Sequence, residues 1–180
     1  MLTALWKKKI SEEKVANIFV NTIFNMVENS FADVAEVINS DPEFEQRPKI
    51  SSNDYSKFLL IILSGNLELL TNHFLEGKDD RIRALIYPKL AQIFEISEEK
   101  VKELIKENQS YMKRVNYPSK NVHYAMSKAI FFKYKLNDFQ KEYFKNLDTP
   151  NPIFLKHLDD LVEQFIINWE DFQEKYKVTD

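Results

Sequence analysis

The amino-acid sequence predicts an all-α, single-domain bundle of about six to seven helices across residues 1–180. Three observations predict this fold class. Glycine occurs at only two positions, and the common hairpin dipeptides Asn-Gly and Asp-Gly do not occur. Apolar residues recur at helical spacing in every part of the chain, whereas no stretch alternates as a strand would. Hydrophobic residues make up 44% of the chain and charged residues 29%, which suits one large core beneath a polar surface.

The first helix is predicted to begin at Ser11, a favourable N-cap, and to end at Asp41, which precedes a proline. Ser30 and Asp33 offer a second cap midway, so this segment is either one helix or two. Residues 43–52 are predicted to form a loop. The apolar residues that share one face of this segment are Val15, Ile18, Phe19, Ile23, Met26, Val27, Val34 and Ile38.

A second helix is predicted from Asp54 to Glu76, with Gly77 as its C′ residue. Residues 58–63 are apolar on all sides, which predicts a central position in the bundle. Residues 64–66, Ser-Gly-Asn, interrupt the apolar pattern. Small residues at this point favour either close helix packing or a kink, and the alternative is a break that contacts a ligand.

Four further helices are predicted from their end signals. Asp79 or Asp80 caps the third, which contains Pro88, and Ser97 caps the fourth. The fifth extends over residues 120–147, with an interruption near residues 137–138. The last extends over residues 152–176, with Asn151 as its cap and Pro152 in its first turn.

Composition excludes several classes of function. Without cysteine the chain has no disulfide, thiolate metal site or cysteine nucleophile. Two glycines leave no phosphate-binding loop, and the sequence contains no catalytic motif or cofactor fingerprint. We therefore expect no cofactor. We also expect no membrane span, because the longest apolar run is far shorter than a bilayer crossing, and a cytoplasmic location, because the N-terminus lacks the order of a secretory signal.

Residues 90–104 resemble a DNA-binding helix-turn-helix in their apolar spacing. Leu90, Phe94, Ile96, Val101 and Leu104 occupy the positions at which such a unit buries side chains. The resemblance implies that the second helix would enter the major groove. However, a glutamate stands at residue 95, where the motif prefers glycine, and the second helix begins with two glutamates that would face phosphates.

A basic, aromatic stretch covers residues 111–145, which hold eight basic and two acidic residues and carry a net charge of +6. Basic side chains interleaved with aromatic ones suit single-stranded nucleic acid or an acidic partner. The alternative is that the aromatic residues belong to the core and that acidic helices neutralise the lysines. The candidate binding residues in this stretch are Lys113, Arg114, Lys120, Lys128, Lys133 and Lys135.

Asparagines recur every four residues in the first helix, at Asn17, Asn21, Asn25 and Asn29, and Asp33 continues the step. Successive members drift by about 40° around the helix axis, so they form one slanted polar stripe. We expect this stripe either to bind a partner helix or to be a solvated face.

Two histidine–carboxylate pairs are weak candidates for metal ligands. His73 and Glu76 are three residues apart in one predicted helix, and His157 and Asp160 repeat this spacing in another. Two such pairs would hold a transition metal if they faced each other in a bundle.

These patterns leave three functional hypotheses. The leading one is a non-enzymatic protein-interaction module that binds a protein partner or forms a homo-oligomer. It rests on the missing catalytic motifs and on the opposite charges of residues 111–145 (+6) and 146–180 (−5). The second is a ligand- or nucleic-acid-binding regulator that uses the basic stretch. The third is a metal-dependent bundle enzyme.

Overall fold

A computed structural model describes residues 7–180, and the prediction of an all-α fold is confirmed. A two-stranded parallel sheet, formed by β1 (Lys8–Ser11) and β2 (Tyr176–Thr179), joins the two ends of the described chain. The helices of these residues are α1 (Glu12–Asn39), α2 (Ser56–His73), α3 (Lys78–Phe94), α4 (Glu98–Asn116), α5 (Val122–Lys133), α6 (Glu142–Leu147), α7 (Pro152–Glu163) and α8 (Trp169–Lys175). A 3₁₀ helix, Leu136–Phe139, connects α5 with α6.

Helix α1 is a single helix, so the second cap midway is not used. The Ser11 hydroxyl accepts a hydrogen bond from the Lys14 amide, as its position as N-cap predicts. The apolar face of α1 packs mainly against α3, and it also contacts α2. Phe19 and Ile23 on that face are fully buried.

Helix α2 is the central element, as its uniformly apolar sequence predicts. It contacts α1, α3, α4 and α5. It ends at His73 rather than at Glu76, and Gly77 is the N-cap of α3 with a φ of 75°, so its predicted role as the C′ residue of α2 is wrong. Asp79 and Asp80 consequently lie in the first turn of α3 and are not its cap.

Helix α2 continues without a break through residues 64–66. Gly65 faces the Met126 side chain of α5, which leaves no room for a Cβ atom. The small residue therefore permits close packing of α2 and α5, as the first alternative for this segment predicts.

The predicted last helix, residues 152–176, is divided into α7, α8 and β2. The buried Asn66 side chain of α2 donates to the Phe165 carbonyl and accepts from the Ile167 amide, both at 2.9 Å. These bonds hold residues 164–168 in a turn between α7 and α8. Tyr176, predicted to be helical, instead begins β2 and pairs with Lys8. This strand ladder joins positions 168 residues apart, so local spacing does not show it.

Candidate binding site

The structure gathers four lysines around a cavity of about 260 Å³ between the start of α2 and the end of α5. Lys133 and Lys135 come from the predicted basic stretch. Lys57 lies in the first turn of α2, and Lys49 belongs to the loop before α2. We call Lys49, Lys57, Lys133 and Lys135 the lysine cluster.

Tyr134 fixes the geometry of the lysine cluster. Its ring is 9% exposed, and its hydroxyl donates to the Asp54 carbonyl at 2.5 Å and accepts from the Phe58 amide at 3.3 Å. Burial raises the pKa of the Tyr134 hydroxyl well above its ordinary value, which further disfavours loss of the proton that it donates to the Asp54 carbonyl. Because this tyrosine binds α5 to the start of α2, its neighbours Lys133 and Lys135 are held at the cavity.

Positive charge in the lysine cluster is largely uncompensated. Asp54 is the one acidic residue among those that line the cavity, and it pairs with Lys57 at 3.4 Å. Lys49, Lys133 and Lys135 form no salt bridge with any residue of the 7–180 range. The cavity therefore presents three cations without a paired anion.

Arg114 of α4 extends this positive surface through an aromatic ring. Its guanidinium lies 5.2 Å from the centre of the Tyr111 ring, and the Lys133 ammonium lies 4.4 Å from the same centre. Both distances are within the range of cation–π attraction. Three of the six predicted basic residues, Arg114, Lys133 and Lys135, are thus brought together.

The other predicted basic residues lie elsewhere. Lys113 and Lys120 line a separate cavity of about 380 Å³ at the junction of α4 and α5, where Lys113 pairs with Glu68 at 3.1 Å. Lys128 is half-buried and lines neither cavity. The eight basic residues of the stretch therefore do not form one continuous site.

The aromatic residues of the stretch are buried, half-buried or exposed, depending on their position. Phe131 and Tyr134 are buried, which agrees with the alternative that assigns aromatic side chains to the core. Tyr117, Tyr124 and Tyr143 are exposed by 85%, 46% and 70%, and every exposed aromatic side chain within residues 7–180 belongs to this stretch. Acidic residues neutralise the stretch at one position only among the described residues, because Lys113 is the one of the eight basic residues that forms a salt bridge there.

The asparagine stripe lies on the exposed side of α1. Asn17, Asn21 and Asn25 are all exposed, and none of them lines either basic cavity. Their side chains form no hydrogen bond with other described residues. The stripe and the basic residues consequently do not converge on one cleft.

The structure separates the two candidate metal-binding pairs. Because α2 ends at His73, Glu76 is not helical but has a φ of 61°, so this pair does not share a helix as predicted. His157 of α7 instead contacts the Asp41 carboxylate at 2.8 Å, and Asp160 lines the same groove beside α1. Within residues 7–180, no group of three His, Cys, Asp or Glu residues has metal-binding geometry.

Ser127 and His123, one turn apart in α5, lie beside Asp159 of α7. The His123 Nε2 atom lies 2.6 Å from the backbone carbonyl of Asp159, not from its carboxylate. Ser127 is fully buried, and its hydroxyl donates to the His123 carbonyl at 3.4 Å. Burial raises the pKa of the Asp159 carboxyl, although Ser127, His123 and Lys156 oppose this effect. The arrangement lacks the serine–imidazole bond of nucleophilic catalysis.

The helix-turn-helix spacing corresponds to the packing of α3 against α4. Leu90 and Val101 are buried between these helices, and Phe94 and Ile96 are partly buried. Glu95 adopts the left-handed conformation, with a φ of 55°, at the position where the motif prefers glycine. The turn is therefore formed, while the glutamates at the start of α4 oppose contact with phosphates.

No family model, no curated protein and no solved structure matches this chain. None of the helices in residues 7–180 has the length and apolar character that a bilayer crossing requires.

Proposed function

We propose that the protein is a cytoplasmic, non-enzymatic interaction module whose lysine cluster binds an acidic segment of a partner protein. The observation that carries this proposal is the concave grouping of Lys49, Lys133 and Lys135 without paired anions. Tyr134 holds two of these lysines in place before a partner arrives, which reduces the entropy cost of binding. Complementary charge would orient the partner and accelerate association.

A second copy of the chain is the other protein partner that we consider, because residues 146–180 carry a charge of −5. In the structure, however, Asp180 at the end of this acidic segment lies 3.4 Å from Arg81, and Asp160 pairs with Lys156 of the same helix. Part of the opposite charge is thus already placed within one chain. This arrangement favours a foreign acidic segment over self-association, and light scattering at several protein concentrations distinguishes the two.

The test is fluorescence anisotropy with a labelled polyglutamate peptide. We expect saturable binding to the full chain that weakens as salt rises from about 0.1 M to 1 M, where the Debye length falls from about 10 to 3 Å. In the double variant Lys133→Glu/Lys135→Glu, repulsion replaces two attractions that are each worth about 0.2–1 kcal/mol. We therefore expect affinity to fall roughly tenfold or more.

The matched control is Lys106→Glu/Lys175→Glu, which changes net charge equally at two exposed lysines outside the cavity. Circular dichroism verifies that both variants fold. Equal losses in the two double variants would show that the peptide senses net charge only, and the lysine cluster would lose its assigned role.

Binding of single-stranded nucleic acid is the second candidate, and the exposed tyrosines favour it. Tyr117, Tyr124 and Tyr143 lie in the same stretch as the basic residues, and aromatic faces stack on bases. The same anisotropy experiment with a labelled oligothymidylate separates the two functions. If the oligonucleotide binds more tightly than polyglutamate and Tyr117→Ser weakens it, nucleic acid becomes the better assignment.

A further inference from the structure

A second cavity, of about 380 Å³, lies where α4 meets α5 and is independent of the lysine cluster. Met112, Pro118, Val122 and Ala125 give it a largely apolar wall. Its volume is within the range of about 300–1,000 Å³ that small-molecule sites occupy, and such sites combine apolar walls with a few placed polar groups.

Asn116 lines this cavity, and its side chain contains a hydrogen-bond acceptor that no described residue satisfies. The residue is 1% exposed, and its Nδ2 atom donates to the carbonyls of Ser119 at 3.3 Å and Asn121 at 2.9 Å. Its Oδ1 atom is buried and has no hydrogen-bond partner among the described residues. A buried acceptor without a partner is costly, so a ligand that donates a hydrogen bond here would relieve a defect of the free protein.

Positive charge borders the same cavity. Lys120 is exposed and forms no salt bridge with a described residue, whereas Lys113 is engaged by Glu68 at 3.1 Å. One unpaired ammonium thus lies beside an apolar chamber. The ring of Tyr117, which is 85% exposed, also lines the cavity and offers an uncovered aromatic face.

We propose that this cavity binds a small aromatic carboxylate that also carries an N–H or O–H donor. Each part of the ligand corresponds to one feature of the wall. The aromatic ring fills the apolar chamber beside Tyr117, the carboxylate pairs with Lys120, and the donor satisfies Asn116. The assignment does not depend on the lysine cluster or on the proposed function.

The test is a titration of the ¹⁵N-labelled full chain with indole-3-acetate, followed by amide chemical shifts. We expect saturable shifts centred on Asn121, Val122 and Ala125 below about 10 mM ligand. Two matched probes each lack one polar feature: indole-3-acetamide lacks the carboxylate charge, and 1-methylindole-3-acetate lacks the N–H donor. We expect each to bind about fivefold more weakly or worse than indole-3-acetate. Absence of saturable shifts, or shifts centred elsewhere, would overturn the site.

Variants test the assignment of the carboxylate partner. Lys120→Gln removes the unpaired charge from an exposed position and should weaken indole-3-acetate about threefold to tenfold, while leaving indole-3-acetamide unchanged. Lys106→Gln is the matched control in the same region of sequence, and we expect no change. If both variants bind indole-3-acetate as the unmodified chain does, or if the amide probe binds equally well, the carboxylate assignment is refuted.

Discussion

Asn66 is the residue whose replacement tests most directly how the central helix organises the C-terminal part of the chain. Its side chain is fully buried in α2 and makes three hydrogen bonds of 2.9 Å. Two of them reach across to the Phe165 carbonyl and the Ile167 amide in the turn between α7 and α8. The third reaches the Ile62 carbonyl of its own helix.

The expected cost of Asn66→Ala follows from the groups that it leaves without partners. The Ile62 carbonyl also accepts the α-helical hydrogen bond, so removal of the Asn66 side-chain bond to this carbonyl costs little stability. The buried Phe165 carbonyl loses its partner at a cost of about 1–3 kcal/mol, and the partly buried Ile167 amide loses its partner at the low end of that range, about 1 kcal/mol. We therefore expect the free energy of unfolding to fall by about 2–4 kcal/mol, from a total of about 5–15 kcal/mol for a domain.

Urea denaturation measures this loss, with circular dichroism reporting helix content and tryptophan fluorescence, to which Trp169 contributes, reporting tertiary packing. Trp169 follows the turn directly and packs against Phe19 and Phe74. The corresponding fall in melting temperature is about 5–15 °C for a chain of this size. The control is Asn72→Ala, an exposed asparagine of the same helix whose side chain has no hydrogen bond to a described residue, which should change stability by less than about 0.5 kcal/mol.

Equal stabilities of Asn66→Ala and Asn72→Ala would refute the stabilising role of the Asn66 hydrogen bonds. A second variant, Asn66→Asp, tests the hydrogen bonds apart from the shape of the side chain. A protonated aspartic acid can still donate to the Phe165 carbonyl, whereas the carboxylate cannot. Burial should raise the folded-state pKa above the unfolded one, so this variant is most stable at acid pH and loses stability as pH rises through the folded pKa.

Three further predictions concern stability. Glu95→Gly relieves the strain of the left-handed conformation after α3 and should raise the free energy of unfolding, measured by urea denaturation, by about 0.5–1 kcal/mol. A lower free energy of unfolding would contradict this backbone strain. Gly65→Ala places a methyl group against the Met126 side chain and should lower the free energy of unfolding by about 1–3 kcal/mol. In a double-mutant cycle with Met126→Ala, the double variant should lose less stability than the sum of the losses in the two single variants. Asp159→Asn should raise the melting temperature at about pH 8, because burial raises the pKa of the Asp159 carboxyl and ionisation of this carboxyl destabilises the folded protein as pH rises. The stability gained by Asp159→Asn should vanish below about pH 3.9, where the carboxyl is protonated in the unfolded chain as well.

Much of the secondary structure could be predicted because local signals specify it. Ser11, Ser97 and Asn151 act as N-caps through their side chains, in agreement with the prediction. The uniformly apolar residues 58–63 correctly predict a central helix. Each of these signals lies within one or two helical turns, so the local sequence contains all the information that specifies the cap or the helix.

Residues of the candidate sites could be predicted only in part. The sequence identifies Lys133 and Lys135 as basic residues in an aromatic context. It does not identify Lys49 and Lys57 with them, because more than 70 positions separate these two lysines from Lys133 in the chain. No local pattern marks that proximity. Likewise, the unsatisfied Oδ1 atom of Asn116 depends on how the loop after α4 folds back onto it.

By itself the sequence determined the helical class, the main caps and the excess of positive charge in residues 111–145. Tertiary structure decided where the long helical stretches divide, because Asn66 offers the 164–168 turn hydrogen bonds that compete with helix continuation. It also decided which charges are neutralised, since ion pairing depends on distances of a few ångströms between residues that are remote in sequence. Helix formation is a local equilibrium, whereas the grouping of lysines and the parallel pairing of β1 with β2 exist only after the core has assembled.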